Sequence, residues 1–137
     1  MKKIFLDTNI WLRFFLKDEA IQFEHVKKLI SDIENGKTRA YTSSIVLLEI
    51  SLVLKSLNKL TFKEVIETIG AIKKTRGITI IDKTSFEKAF DYFKKYNIKF
   101  TDCLIASQIS EGMTLVSYDK DFLKIKDLHL SRPENIL

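Results

Sequence analysis

The sequence predicts an α/β fold, a parallel sheet of four or five strands with helices on both faces. Two observations carry this. Short, apolar, β-branched runs at residues 4–6, 78–81 and 114–117 alternate with longer stretches of helical periodicity. The first run, Ile4-Phe5-Leu6, is apolar at every position. That suits a strand covered on both faces rather than one with a wet side. The 137 residues are enough for one domain with one core, spanning residues 1–137.

Strand one stops on a carboxylate, Asp7, where a helix begins. Residues 10–16, Ile-Trp-Leu-Arg-Phe-Phe-Leu, form a short helix that is apolar nearly all round and needs covering on more than one side. A second helix runs from 20 to about 35, with Phe23, Val26, Lys27, Ile30 and Ile33 near its inner stripe, and Asn35-Gly36 stops it. Residues 40–42 are a weak second strand. Ser43 or Ser44 caps the third helix, 45 to about 57, which Asn58 ends. Thr61 caps a fourth, whose Phe62, Val65, Ile66, Ile69 and Ile72 read as one buried stripe. Gly77 closes it, and strand three ends at Asp82. The fifth helix starts near Thr84 or Ser85 and carries Phe86, Ala89, Phe90 and Phe93 on one face. Thr101 is the expected N-cap of a sixth, residues 102–111, terminated by Gly112. Strand four ends near Asp119, and residues 128–130 offer a short fifth strand.

No apolar run is long enough to span a membrane. Asp7 and Asn9 interrupt the first apolar run too early for a signal peptide, so a cytoplasmic protein is expected. The single Cys103 forms no internal disulfide, and one Cys with two distant His residues makes no zinc site. The net charge of +5 and pI of about 9.2 suit an anionic partner such as nucleic acid, or simply a Lys-rich solvated surface.

Several acids stand in unusual places. Glu49 has Ile45, Val46, Leu52 and Val53 as its helical neighbours and no cation at those spacings. An unpaired carboxylate on a buried face is costly unless it binds a metal or bonds backbone amides at a sheet edge. Asp102 heads the stripe Ile105, Ala106, Ile109; it is also where an Asp favours the helix dipole. Asp7 reads as a ligand or an N-cap, and Asp119 with Asp121 as ligands or as a turn and cap. Strand-end placement sends Asp7 and Asp119 to the same sheet edge, where ligands of such sheets bind. Clustered carboxylates with few His residues suit Mg²⁺ or Mn²⁺.

In this order the motifs Phe5-Leu6-Asp7-Thr8-Asn9, Ser44-Ile45-Val46-Leu47-Leu48-Glu49-Ile50, Phe100-Thr101-Asp102-Cys103-Leu104-Ile105-Ala106 and Ser117-Tyr118-Asp119-Lys120-Asp121-Phe122 span nearly the whole chain. The set resembles the PIN-domain ribonucleases, most closely the toxins of VapBC-type toxin–antitoxin pairs. The resemblance implies a three-layer fold with a five-stranded parallel sheet and metal-dependent endonucleolytic cleavage of single-stranded RNA. It implies Asp7, Glu49, Asp102 and Asp119 as the acidic quartet, supported by Asp121, Ser117, Thr8 and Asn9. Ser117 stands where the family often has Thr, which keeps the hydroxyl. With no His in the motifs, the base's work falls to a metal-activated water oriented by a carboxylate such as Asp119. Arg13 is the candidate for holding the RNA backbone, with plain surface solvation as the alternative.

A haloacid-dehalogenase-type phosphatase would need Asp where Asn9 stands, and a response-regulator receiver an early Asp pair and a late Lys; neither pattern is clear here. A PIN-domain RNA-processing nuclease without an antitoxin, and an inactive PIN domain that binds RNA or protein, remain open. The 10–16 helix is either core on both sides or leaves Trp11 or Phe15 open to a partner. The resemblance makes a small antitoxin that partner, with a homodimer as a separate alternative. Such an antitoxin would push a Lys or Arg towards the acids and compete with Mg²⁺.

Overall fold

The computed structural model describes residues 2–57 and 59–136; the expected helix stop at Asn58 lies outside them. Five strands, β1 (Lys3–Leu6), β2 (Arg39–Ser43), β3 (Ile78–Ile81), β4 (Met113–Val116) and β5 (Leu130–Ser131), form one sheet. All pairs are parallel, in the order β3-β2-β1-β4-β5. Six helices connect them: α1 (Thr8–Leu16), α2 (Ala20–Glu34), α3 (Ser44–Ser56), α4 (Phe62–Lys74), α5 (Phe86–Tyr96) and α6 (Phe100–Ser107). Ile4, Phe5 and Leu6 are all fully buried. Successive strand residues point to opposite faces, so the sheet is covered on both sides, as the unbroken apolar run predicts. No helix among the described residues is long and apolar enough to cross a membrane.

The strand order decides where the site lies. The chain builds outward from β1 through β2 to β3, then returns to lay β4 on the other side of β1. The reversal falls between β1 and β4, which pair from Lys3↔Met113 to Leu6↔Val116. At such a switch point the connecting segments diverge and leave a crevice beyond the strand ends. Asp7 and Ser117 are the first residues past those ends.

Local capping chemistry matches the sequence at several places. Ser43 caps α3 through the Val46 amide, Ser85 caps α5 through the Lys88 amide, and Thr61 and Glu64 form a reciprocal capping box on α4. Helix α6 differs from expectation. It begins at Phe100 with Lys99 at the N-cap, so Thr101 lies inside the first turn and caps nothing. It ends at Ser107, because Gln108 turns its amide back onto Ile105 and Ala106; Gly112 (φ +83°) belongs to the turn before β4. The fifth strand sits at 130–131 rather than 128–130.

The helical stripes are less buried than their spacing suggests. On α4 only Val65 and Ile72 are buried, while Phe62 is 72% exposed and Ile66 is also exposed. On α5 the buried residues are Ala89 and Tyr92, and Phe86, Phe90 and Phe93 are exposed. Periodicity shows which residues share a face, not whether another element covers it. Here α4 packs against α3 and the edge strand β3, whose own residues are at most half-buried, and α5 packs chiefly against α6.

Helix α1 resolves the other way. Ile10 and Trp11 are completely buried, and Leu12, Phe14, Phe15 and Leu16 are half-buried against the core. Phe14 stacks on Phe23 of α2 at 6.2 Å between ring centroids, and Trp11 on Phe15 at 6.4 Å. Trp11 is therefore core and not open to a partner, whereas Phe15, the other residue of that reading, keeps part of its surface exposed. Trp11→Ala should lower unfolding free energy by about 3–5 kcal/mol, the usual range for emptying a large aromatic site. Urea denaturation tests this. A near-native midpoint for Trp11→Ala would show that the indole contributes little to packing.

Candidate metal centre

Each acid reaches the crevice by a different route. Asp7 follows β1 directly and is 3% exposed. Although it occupies the N-cap position of α1, its side chain makes no capping hydrogen bond to that helix. One oxygen, Oδ2, accepts from the Ser117 hydroxyl at 2.6 Å, and the other has no partner. Asp102 is the third residue of α6, also 3% exposed, and its Oδ2 is likewise without a partner. Buried carboxylate oxygens are nearly always hydrogen-bonded. Two orphans in one place mark where a positive ligand fits.

Glu49 comes from α3, and the structure corrects how it gets there. The buried face of α3 is Val46, Ile50 and Leu54, and Leu52 is 59% exposed. Glu49 lies at the rim of that face, half-buried, and accepts a short hydrogen bond from the Thr8 hydroxyl. Asp119 precedes the 3₁₀ turn Lys120–Lys124 and caps it by accepting from the Asp121 amide at 2.9 Å. It is thus a cap and still lines the crevice.

Asp7, Glu49, Asp102 and Asp119 share one cleft of about 150 Å³ with Thr8, Asn9 and Lys99. Asp121 joins from the side: one oxygen each from Asp102, Asp119 and Asp121 lie within 4.8 Å of one another. The polar residues hold this in register. Ser117 accepts from the Asp119 amide at 2.9 Å while donating to Asp7. Asn9 reaches Ser117 with its amide nitrogen and accepts from the Tyr118 amide at 3.2 Å. These bonds fasten the end of β1 to the end of β4.

Burial is the main cause that raises the Asp7 carboxyl to about 7; the Ser117 hydroxyl partly offsets it, and Asp102 and Glu49 add to it. Asp102 is raised to about 6, again chiefly by burial, with Lys99 opposing and Asp119, Glu49 and Asp121 reinforcing. Burial and like charge both penalise the ionised acids, and a hard cation would relieve both. Oxygen-only donors of this number suit Mg²⁺ or Mn²⁺, so the residues fit such an ion.

Two residues stand apart from the sequence reading. Arg13 does not line the cleft; it pairs with Asp18 at 2.6 Å. Lys99 does line it, one helical turn before Asp102 in Lys99-Phe100-Thr101-Asp102, and the sequence reading passed it over. A cation three residues before a candidate ligand was the available signal. Asp82, the acid at the end of β3, takes no part and binds the Ser44 amide and hydroxyl instead.

Residues 4–128 match the sequence profile of the PIN domain. The chain belongs to the PIN domain family. No curated protein is significantly similar to it in sequence. Among solved structures this PIN domain resembles a chain of VapBC2 from Rickettsia felis, bound to a DNA fragment from their promoter, at 25% identity. That match has a TM-score of 0.64 and covers 95% of this chain and 98% of that one. DNA-bound VapBC from Salmonella typhimurium gives a TM-score of 0.74 at 17% identity, covering 97% and 99%. A toxin–antitoxin complex from Klebsiella pneumoniae gives 0.64 at 20%, covering 95% and 97%. The PIN fold read from the motif set is therefore the fold of this chain, and these three structural neighbours come from VapBC or toxin–antitoxin complexes.

Proposed function

We propose that this PIN domain is a Mg²⁺-dependent endoribonuclease acting on single-stranded RNA in the cytoplasm, and that it is the toxin of an antitoxin pair. The observation that carries the reading is the pair of buried, unpartnered oxygens on Asp7 and Asp102 in the cleft they share with Glu49 and Asp119. An inactive binding module has no need of such an arrangement, which costs stability unless a cation occupies it.

Asp7, Asp102 and Asp119 would hold the ion, with Glu49 and Asp121 completing the carboxylate set. Bound there, a divalent cation lowers the pKa of an attacking water and neutralises charge at phosphorus. The remaining work belongs to the chain. Ser117 orients Asp7, and Thr8 orients Glu49. Lys99 supplies a positive charge at the mouth for a phosphodiester oxygen. The antitoxin reading draws support from the neighbouring VapBC complexes and from the exposed Leu48 and Leu52, which bracket Glu49 on α3. An apolar segment laid there comes within reach of the acids.

Incubating the purified protein with a labelled single-stranded RNA should give endonucleolytic products with Mg²⁺ or Mn²⁺, and none with EDTA. Cleavage that persists in EDTA, or no cleavage with either metal, would overturn the assignment. Co-purification with the product of an adjacent small reading frame separates a toxin from an RNA-processing nuclease.

A further inference from the structure

A second cleft, of about 280 Å³, opens beside the acidic one beyond the ends of β4 and β5. Asp119 and Ser117 line its inner wall, and Asp119 also lines the acidic cleft, so the two share a partition. The rest of its lining is of another chemical kind. Leu123 and Leu130 give it apolar sides, and Leu123 is left largely exposed. Lys120 and Arg132 give it positive charge, and Asn135 an amide.

Three features make this more than a surface groove. The Arg132 guanidinium lies over the Tyr118 ring, 5.9 Å from its centroid, and the Tyr118 hydroxyl is tied to Glu134 at 3.3 Å. An otherwise floppy side chain is thus set against a fixed ring. Among the described residues Arg132 enters no salt bridge, so its charge is not already engaged by a carboxylate. The Asn135 side chain makes no hydrogen bond to a described residue, although the residue is anchored by its backbone to Arg132.

We infer that this cleft is a nucleotide subsite that receives one unstacked base of single-stranded RNA next to the phosphate held at the acids, and so sets where the strand is cut; this rests on the ribonuclease reading above. Single-stranded RNA is read by bases splayed from the stack onto aromatic rings or guanidinium planes, with polar groups on their edges. The leucines and the Arg132 plane suit the faces of a base. The Asn135 amide, donor and acceptor together, suits its edge. Lys120 suits the flanking phosphate. A simple anion site would not need the apolar sides, and an apolar peptide would leave both cations and the amide unpaired.

The test compares wild type with Arg132→Gln and Asn135→Ala on short RNA oligonucleotides randomised around the cut. Arg39→Gln, at the opposite end of the sheet, serves as the charge control. All three side chains are exposed, so the variants should fold. Loss of one stacking or edge contact should raise KM roughly tenfold with a smaller change in kcat, and flatten the base preference at a single position. Arg39→Gln should do neither. Unchanged KM and base preference in both cleft variants, or an equal effect from Arg39→Gln, would overturn the subsite and leave the nuclease reading intact. Absence of metal-dependent cleavage by wild type would overturn both.

Discussion

Asp7→Asn is expected to all but abolish Mg²⁺-dependent RNA cleavage, slowing it about a hundred- to a thousandfold, while leaving the fold in place. The magnitude is that of removing a preorganised electrostatic group from a reaction centre. The substitution keeps the size of the side chain and an oxygen to accept from Ser117, so the fastening of β1 to β4 survives. What goes is one formal charge at the partnerless oxygen, which is what a divalent cation would use. Asp82→Asn is the matched control. It too is an acid at the end of a strand, but it serves Ser44 and lies outside the cleft, so it should cost about 1 kcal/mol of stability and no activity. Cleavage rates measured on both purified proteins, with circular dichroism as the folding check, decide the matter. If Asp7→Asn cuts RNA like wild type, Asp7 is only a structural residue between strand and helix.

The second large effect is on stability. Asp7 and Asp102 hold their protons to about 7 and about 6 in the metal-free fold, because burial penalises their anions. In the unfolded chain both ionise near 4. A raised folded pKa means that the folded state binds more protons between those values. Stability is therefore highest below about pH 4 for these two groups, falls as pH rises through about 4 to 7, and stays low above. For Asp7 the loss is on the order of a few kcal/mol, because each tenfold change in proton affinity is worth about 1.4 kcal/mol. Mg²⁺ should reverse it at pH 8, since a ligand bound only by the folded state stabilises by mass action. Urea denaturation of wild type and Asp7→Asn between pH 4 and 8, with EDTA and with Mg²⁺, isolates the effect. In EDTA the variant should gain on wild type as pH rises, and Mg²⁺ should narrow the gap. A wild-type minus variant difference that does not depend on pH, or no response to Mg²⁺, would contradict carboxylate strain as its source.

These expectations trace back unevenly to the amino-acid order. An uninterrupted apolar triplet ending in Asp7 determined a doubly covered strand with a carboxylate at its mouth, because alternate side chains of a strand leave on opposite faces. Asp102 at the head of an apolar stripe determined a buried acid for a similar reason, although the helix that carries it starts two residues earlier than its capping residues suggest. Glu49 is only half legible in the sequence: its helix is apolar on most sides, but the face around it is a rim rather than the core.

What only the tertiary structure decided is which faces meet. The order β3-β2-β1-β4-β5 brings Asp7 beside Ser117, a partnership across 110 positions that no local pattern encodes. Trp11 is sealed while Phe62 and Phe86 stand in solvent, although all three belong to helices rich in apolar residues. Hydrophobic periodicity is a property of one helix, and burial requires a second element against it. The same holds for the second cleft. Lys120, Leu130, Arg132 and Asn135 are ordinary residues along the chain and become a site only where β5 returns beside β4, with Asp119 between them and the acids.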